Sequence, residues 1–138
     1  MSVLYLPEPL RTRIASWVSA GYPLETCGLL IGRQNGAGVT VSETIAARNL
    51  NRERAQDRFE LDPEAFIEAD RQARDAGLEL VGVWHSHPDH PPRPSATDRS
   101  FAWEGWSYLI LSVDSKGVED MRSWRLADDD FVEEAILP

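Results

Sequence analysis

The sequence predicts an α+β domain with sandwich-like layering: a mixed, largely antiparallel sheet with helices packed on it. Three observations lead there. Two segments carry apolar residues at the spacing of a helix that buries one side. Short apolar runs between and after them are bounded by Gly, Asn, Asp or Pro, as strands are. Several neighbouring runs are separated only by a tight turn, which favours hairpins over the long crossovers of a doubly wound sheet. At 138 residues the chain fits a single domain, residues 1–138, large enough to hold a core without staples.

A first helix is expected from Pro7 to Gly21, with Leu10, Ile14, Trp17 and Val18 on one face and Gly21 as its stop. Gly21-Tyr22-Pro23 then breaks the chain. Thr26 to Ile31 reads as a buried strand ended by Gly32. Gln34-Asn35-Gly36-Ala37-Gly38 reads as a hairpin turn, with Val39, Val41 and Ile45 on the partner strand. Asn49 to Arg58 is polar and arginine-rich and reads as a loop. Asp62-Pro63 opens a second helix, with Asp62 as N-cap and Pro63 in the first helical position. Phe66, Ile67, Ala69 and Ala73 give that helix its apolar side, and Gly77 ends it. Leu78 to Trp84 reads as a second buried strand running straight into histidines. Four prolines from Pro88 to Pro94 disfavour regular structure. A short helix is expected from Ala96 to Glu104. Tyr108 to Val113 and Val118 to Leu126 read as a hairpin across Asp114-Ser115-Lys116-Gly117, and Phe131 to Leu137 as a last strand.

The net charge of −9 disfavours nucleic acid as a partner, because phosphates need a basic footprint. The imbalance sits late: from Asp114 onward there are eight acidic and three basic residues, and Asp128-Asp129-Asp130 reads as a solvated turn. Cys27 is the single cysteine, so no internal disulfide can form, which suits a reducing compartment. Neither a leader nor a membrane-spanning apolar run is evident, and the cytoplasm is the expected location.

The chemistry sits in the histidines, all three of which lie between His85 and His90. Residues i and i+2 of a strand share a face, so His85 and His87 can aim both imidazoles at one point. Two imidazoles, a carboxylate and a water make a familiar catalytic zinc environment. Asp98, eleven residues past His87 across the proline loop, is a candidate for the carboxylate. Taken alone, Ser95-Ala96-Thr97-Asp98 reads more naturally as a helix capping box, with Asp in place of the usual Glu or Gln. The two roles are compatible, since a ligand in the first turn of a helix is well oriented. His85-Ser86-His87 by itself also fits a plain polar turn. His90 is out of phase with the other two and reads as exposed.

The stretch His85-Ser86-His87-Pro88, seven residues from Pro88 to Pro94, then Ser95-Ala96-Thr97-Asp98 resembles the signature of the JAMM (MPN+) zinc metalloproteases. That signature runs His, Ser or Thr, His, seven residues, Ser, two residues, Asp. Glu25-Thr26-Cys27-Gly28-Leu29-Leu30-Ile31-Gly32 resembles the family's glutamate-bearing first strand, and the order of elements agrees over most of the chain. The resemblance implies a cytidine-deaminase-like MPN fold. It also implies a role for each motif residue. His85, His87 and Asp98 would ligate one zinc ion per chain. Glu25 would be the general base, and Ser95 would donate to the oxyanion of the tetrahedral intermediate. Such a base takes a proton from water and passes it to the leaving amine. The chain lacks room for the two large insertions of ubiquitin-specific members, so it resembles the short prokaryotic type. The substrate so implied is a peptide or isopeptide bond after the C-terminal glycine of a ubiquitin-like sulfur-carrier protein. Such carriers are related to those of thiamin, molybdopterin or cysteine synthesis. The carrier tail would lie as an extended strand along a sheet edge.

Other assignments fit less well. Cys27 lies in an apolar run and reads as a core residue, not an activated nucleophile. Ser86 would point away from the histidine face and support the strand end. Trp84, Trp103 and Trp106 flank the motif and read as packing ahead of groove lining. A nucleobase deaminase needs Pro-Cys-x-x-Cys, which a single cysteine cannot supply. A multinuclear phosphoesterase needs more histidines than this chain holds, unless carboxylates substitute. A non-catalytic MPN-type interaction scaffold is the alternative from another class, and the complete ligand set argues against it.

Overall fold

In the computed structural model the elements follow in the order β1 (Val3–Tyr5), α1 (Glu8–Gly21), β2 (Cys27–Asn35), β3 (Gly38–Ala47), α2 (Pro63–Asp75), β4 (Glu79–Pro88), α3 (Ala96–Ser100), β5 (Ser107–Asp114), β6 (Gly117–Ala127) and β7 (Asp130–Leu137). The structure describes residues 2–36, 38–51, 54–55, 58–100 and 102–138, with Ser100 as backbone only. Ala37 of the expected hairpin turn, residues 52, 53, 56 and 57 of the expected loop, and residue 101 of the expected short helix lie outside the described residues.

The α+β class and the mixed, largely antiparallel sheet hold. The strands run β1-β3-β2-β4-β5-β6-β7 and the sheet closes on itself as a barrel, where the sequence pointed to sandwich-like layers. Closure comes from β1, which pairs parallel with β3 on one side and with β7 on the other. Leu6 N continues the seam by donating to Leu137 O at 2.7 Å. Three residues are too few to show a period, and both partners of β1 are remote in sequence, so no local pattern announces it. Where β6 turns into β7, Asp128 and Asp129 both take positive φ, 50° and 68°. That is the requirement of a tight two-residue hairpin turn, and Asp tolerates it better than most residues. The acidic run is the exposed turn it was expected to be.

The helices pack on opposite faces of the sheet. Leu10, Ile14 and Val18 of α1 are buried and join Leu30, Trp84, Leu109 and Leu111 in one apolar cluster. The α2 side holds a second cluster, in which Ala69 and Ala73 meet Leu29, Ile31, Val83 and Tyr108. Asp62 caps α2 as expected, accepting from Glu64 N at 2.9 Å. The apolar side of α2 is narrower than its sequence suggested. Only the two alanines are buried, while Phe66 and Ile67 are 40% and 67% exposed. Small side chains let the helix lie close to the sheet and leave its larger ones outside.

A bulge in β4 decides which face the histidines take. Leu30 pairs with Gly82 and Ile31 with Leu80, so Val81 has no partner. An extra residue reverses the alternation from there on. Leu80 and Val83 consequently both pack on the α2 side, while Trp84 packs on the α1 side. His85 and His87 follow Val83 in phase. β4 also runs past Trp84, where the sequence placed its end, and carries both histidines within the strand.

Gly28 is fixed by the packing of Trp84. A Cβ at this position would collide with the Ile45 carbonyl oxygen and the Trp84 indole. That indole stacks on Trp17 at 5.7 Å and donates to Ile45 O at 3.3 Å. Gly36, by contrast, has nothing within 4 Å of the place a Cβ would occupy. Gly28→Ala should therefore lower unfolding stability by about 1–3 kcal/mol through overpacking, and Gly36→Ala should stay within about 0.5 kcal/mol of the parent. Urea denaturation midpoints check both; equal effects at the two positions would contradict the packing described.

Candidate metal centre

The antiparallel pairing of β2 with β4 sets Cys27 opposite His85. It continues beyond the end of β2. Ser86 N donates to Thr26 O at 3.0 Å, and Thr26 N donates to Ser86 Oγ at 2.9 Å. One residue further along, the Glu25 carboxylate reaches the histidines, and ligand atoms of Glu25, His85 and His87 all lie within 4.8 Å of one another. Ser86, fully buried, supports the strand end as the sequence suggested, and in doing so it holds the glutamate beside the imidazoles.

The structure brings Asp98 closer still. His85 Nε2 and His87 Nε2 are 3.1 Å apart. Asp98 Oδ2 lies 3.2 Å from His87 Nε2, and Asp98 Oδ1 lies 3.4 Å from His85 Nε2. A tetrahedron with vertices about 2.05 Å from its centre has edges of about 3.3 Å, so the spacing matches that of zinc ligands. The protonation pattern points the same way. His87 Nδ1 faces Pro91 O at 2.9 Å, a pure acceptor, so neutral His87 carries its hydrogen there and presents a bare lone pair at Nε2. Asp98 accepts only. With His87 neutral, His85 Nε2 is the side-chain nitrogen left to bring a hydrogen to these facing atoms. The cluster is thus short of positive charge, and its donor set can hold a metal ion.

The titration of these groups reflects that shortage. Burial holds His85 below its ordinary value, against the pull of Asp98. Burial also opposes charging of His87. The hydrogen bonds to Asp98 and the Pro91 carbonyl, with the charges of Asp98 and Glu25, nevertheless raise it above its ordinary value. Asp98 is desolvated as well, yet its contacts with both imidazoles hold it far below the usual carboxylate range. Asp98 therefore stays ionised between the two imidazoles and presents a negative charge to an incoming cation.

Asp98 makes two sets of contacts at once. Asp98 N donates to Ser95 Oγ at 3.0 Å and Ser95 N donates to Asp98 Oδ2 at 2.8 Å. This is the reciprocal capping box read from the sequence, and the same carboxylate faces the histidines. Since Ser95 Oγ accepts from Asp98 N, its own hydrogen remains to donate elsewhere. His90 is exposed, as expected, and takes no part in the His85–His87–Asp98 contacts.

Several contributors were not foreseen. Phe59 stacks on His85 with ring centroids 4.5 Å apart, although His85 Nδ1 is buried without a hydrogen-bond partner. Asn49 Nδ2 donates to the carbonyls of Glu25 (3.1 Å) and Arg58 (3.0 Å). Its Oδ1 accepts from Asn51 N and Glu60 N. One amide thus organises the described part of a segment that read as a plain loop, and no spacing rule singles it out. Two cavities meet at the centre. The larger, about 650 Å³, is lined by Leu29, Phe59, Phe66, Trp103, Trp106 and Tyr108 around His85 and Asp98. The smaller, about 340 Å³, contains Glu25, His87, Ser95 and Asp98. Trp84 is core, as expected. Trp103 and Trp106 instead line the larger cavity, with Trp103 70% exposed.

A buried cluster of imidazoles and carboxylates able to hold a metal ion thus sits at the end of a strand in a mixed α+β barrel. This chain belongs to the prokaryotic homologs of the JAB domain, whose family model matches residues 7–127, and so to the short prokaryotic type of the JAMM (MPN+) family. It is 41% identical over 97 residues to a desampylase of Haloferax volcanii, covering 68% of this chain and 66% of that protein. It is 30% identical over 112 residues to a probable TtuB-protein conjugate cleaving protease of Thermus thermophilus, covering 81% of this chain and 72% of that one. The solution structure of protein DSY2949 from Desulfitobacterium hafniense superposes with a TM-score of 0.83 at 30% identity, covering 99% of this chain and 92% of the other. Among the described residues no helix is long and apolar enough to cross a membrane.

Cys27, next to this site in sequence, is chemically quiet. It is fully buried, and burial, reinforced by the Glu25 charge, pushes its thiol up to about 12. A thiol so protonated is a poor nucleophile. In the folded protein at pH 8, Cys27 should resist alkylation by iodoacetamide and react only once urea unfolds the chain. Rapid labelling of the native state, followed by mass spectrometry, would show the thiol to be accessible and reopen a cysteine mechanism.

Proposed function

We propose that this protein is a zinc-dependent hydrolase that cleaves a peptide or isopeptide bond after the C-terminal glycine of a ubiquitin-like sulfur-carrier protein. The observation that carries the proposal is the convergence of His85, His87 and Asp98 at mutual distances of 3.1–3.4 Å. We assign these three as the ligands of one zinc ion per chain, Glu25 as the general base and Ser95 as the oxyanion donor. When bound, zinc supplies a Lewis acid that brings water near ionisation at neutral pH and polarises a carbonyl. Asp98 contacts both imidazoles, which supports it as the third donor. That leaves Glu25 to take a proton from the attacking water and hand it to the leaving amine. The Ser95 hydroxyl, its acceptor side occupied by Asp98 N, turns its hydrogen toward the oxygen that gains negative charge.

Membership of the JAMM family supports the reaction class, and the Thermus relative's action on protein conjugates supports a conjugate as substrate. The larger cavity offers an apolar trough for an extended tail, a recurrent mode of peptide recognition. The family match across residues 7–127 supports a single MPN+ domain over 1–138 with a cytidine-deaminase-like arrangement. An unpaired cysteine suits the cytoplasm. A non-catalytic scaffold would have no use for a buried cluster of acceptors short of a cation.

After reconstitution the protein should hold one zinc per chain. Glu25→Gln should keep that zinc while losing at least about 10²-fold in turnover of a Gly-Gly-tailed carrier conjugate, in line with removal of a general base. A chelator should abolish turnover by the parent enzyme and added zinc should restore it. Chelator-insensitive turnover, or full activity in Glu25→Gln, would overturn the assignment; no turnover at all with metal bound would favour the scaffold.

A further inference from the structure

Amide hydrolysis expels an amine, and in the reaction proposed above Glu25 delivers the proton that this amine needs. The two cavities divide accordingly. Glu25 lines the smaller and not the larger, His85 lines the larger and not the smaller, and Asp98 lines both. The acyl half of the substrate therefore lies in the larger aromatic cavity and the leaving group in the smaller one. At about 340 Å³ the smaller cavity is near the low end for ligand sites, enough for a residue or two beyond the scissile nitrogen.

Basic side chains stand in its wall beside the carboxylates of the centre, in a chain with a net charge of −9. Arg58, His90 and Arg93 all line it. Arg58 is steadied at the junction of the cavities by donating from Nη1 to Thr97 Oγ1 at 2.8 Å. Arg93 is exposed, and its guanidinium has no ion-pair partner among the described residues. The carboxylates among the described lining residues are Glu25 and Asp98, both committed to the centre. Asp89, one residue before His90, is held by the Tyr22 hydroxyl at 2.9–3.0 Å and does not line the cavity. An unpaired arginine fork beside the site of bond cleavage is suited to a carboxylate.

We propose that the smaller cavity recognises a carboxylate on the leaving group, within one residue of the scissile nitrogen, through Arg93 with His90 beside it. The carboxylate is either the free α-carboxylate of a terminal residue or an acidic side chain. This preference separates peptide-linked leaving groups from a lysine side-chain amine, whose long stem carries no carboxylate near the nitrogen. The inference rests on the hydrolase reading and sharpens its substrate class.

The test uses zinc-loaded full-length protein and three conjugates that share one Gly-Gly-tailed carrier. They continue with alanine bearing a free carboxylate, with alaninamide, or with aspartic acid α-amide. Parent enzyme should hydrolyse one or both acidic conjugates about tenfold faster in kcat/KM than the alaninamide, as one charge-assisted hydrogen bond provides. Which of the two is preferred identifies the source of the carboxylate. Arg93→Gln should reduce that preference to within about twofold, and Arg93→Lys, which keeps the charge, should retain most of it. Equal hydrolysis of all three by the parent, or an unchanged preference in Arg93→Gln, overturns this inference and leaves the hydrolase reading standing. Hydrolysis of none of them, while the same carrier joined to a lysine side-chain amine is cleaved, overturns this inference alone; cleavage of neither kind overturns both.

Discussion

The site depends on one pairing. β2 and β4 align so that Cys27 faces His85, and the Thr26–Ser86 contacts carry that alignment one step past the end of β2. Glu25 and His85 are far apart in sequence, and nothing local connects them. Once the ladder forms, the glutamate has little freedom in where to lie. Asn49 then clamps the Glu25 carbonyl from the other side. The serine between the two histidines is thus more than a spacer: with its side chain on the opposite face, it ties the Glu25 segment to the histidine-bearing strand.

A buried cluster of acceptors is expensive by itself. Each unsatisfied buried polar group costs about 1–3 kcal/mol, and Asp98 gives up solvation to sit between two imidazoles with only 11% of its side chain exposed. The rest of the fold offsets this. α3 is capped by Ser95 and Asp98 together, Pro91 fixes the His87 tautomer, and Phe59 lies flat on His85. Each constraint fixes a donor atom before any cation arrives. A cation bound there adds its binding free energy to folding, as it does in other proteins whose unfolded chain lacks the site.

Much of this could be read in the residues, and what could not has a physical reason. The helix α2 announces itself through Asp62-Pro63, because capping and the first helical position follow local rules. The shared face of His85 and His87 follows from strand period alone. Which face it is does not, because a bulge at Val81 depends on how β4 fits β2 and leaves no mark in composition. The short β1 and the barrel closure were hidden for the same reason: their partners are remote in the chain. Asp98 was ambiguous between cap and ligand, and the structure shows that a single carboxylate serves the cap while facing the histidines. Glu25 was one carboxylate among many until a family resemblance singled it out, and the pairing with β4 now gives a spatial reason. The tryptophans divided between core and cavity, since neighbours in sequence take opposite faces or leave the strand altogether.

The most direct measurement is X-ray absorption at the zinc edge of the reconstituted protein. The convergence of His85, His87 and Asp98 predicts a four-coordinate shell at about 2.0–2.1 Å with two imidazole nitrogens and the remainder light oxygen donors. Replacing Asp98 by Ala should remove or rearrange that shell, whereas replacing Glu25 by Gln should leave it unchanged. A shell without two imidazoles, one containing sulfur, or one that changes with Glu25 and not with Asp98 would contradict the assignment.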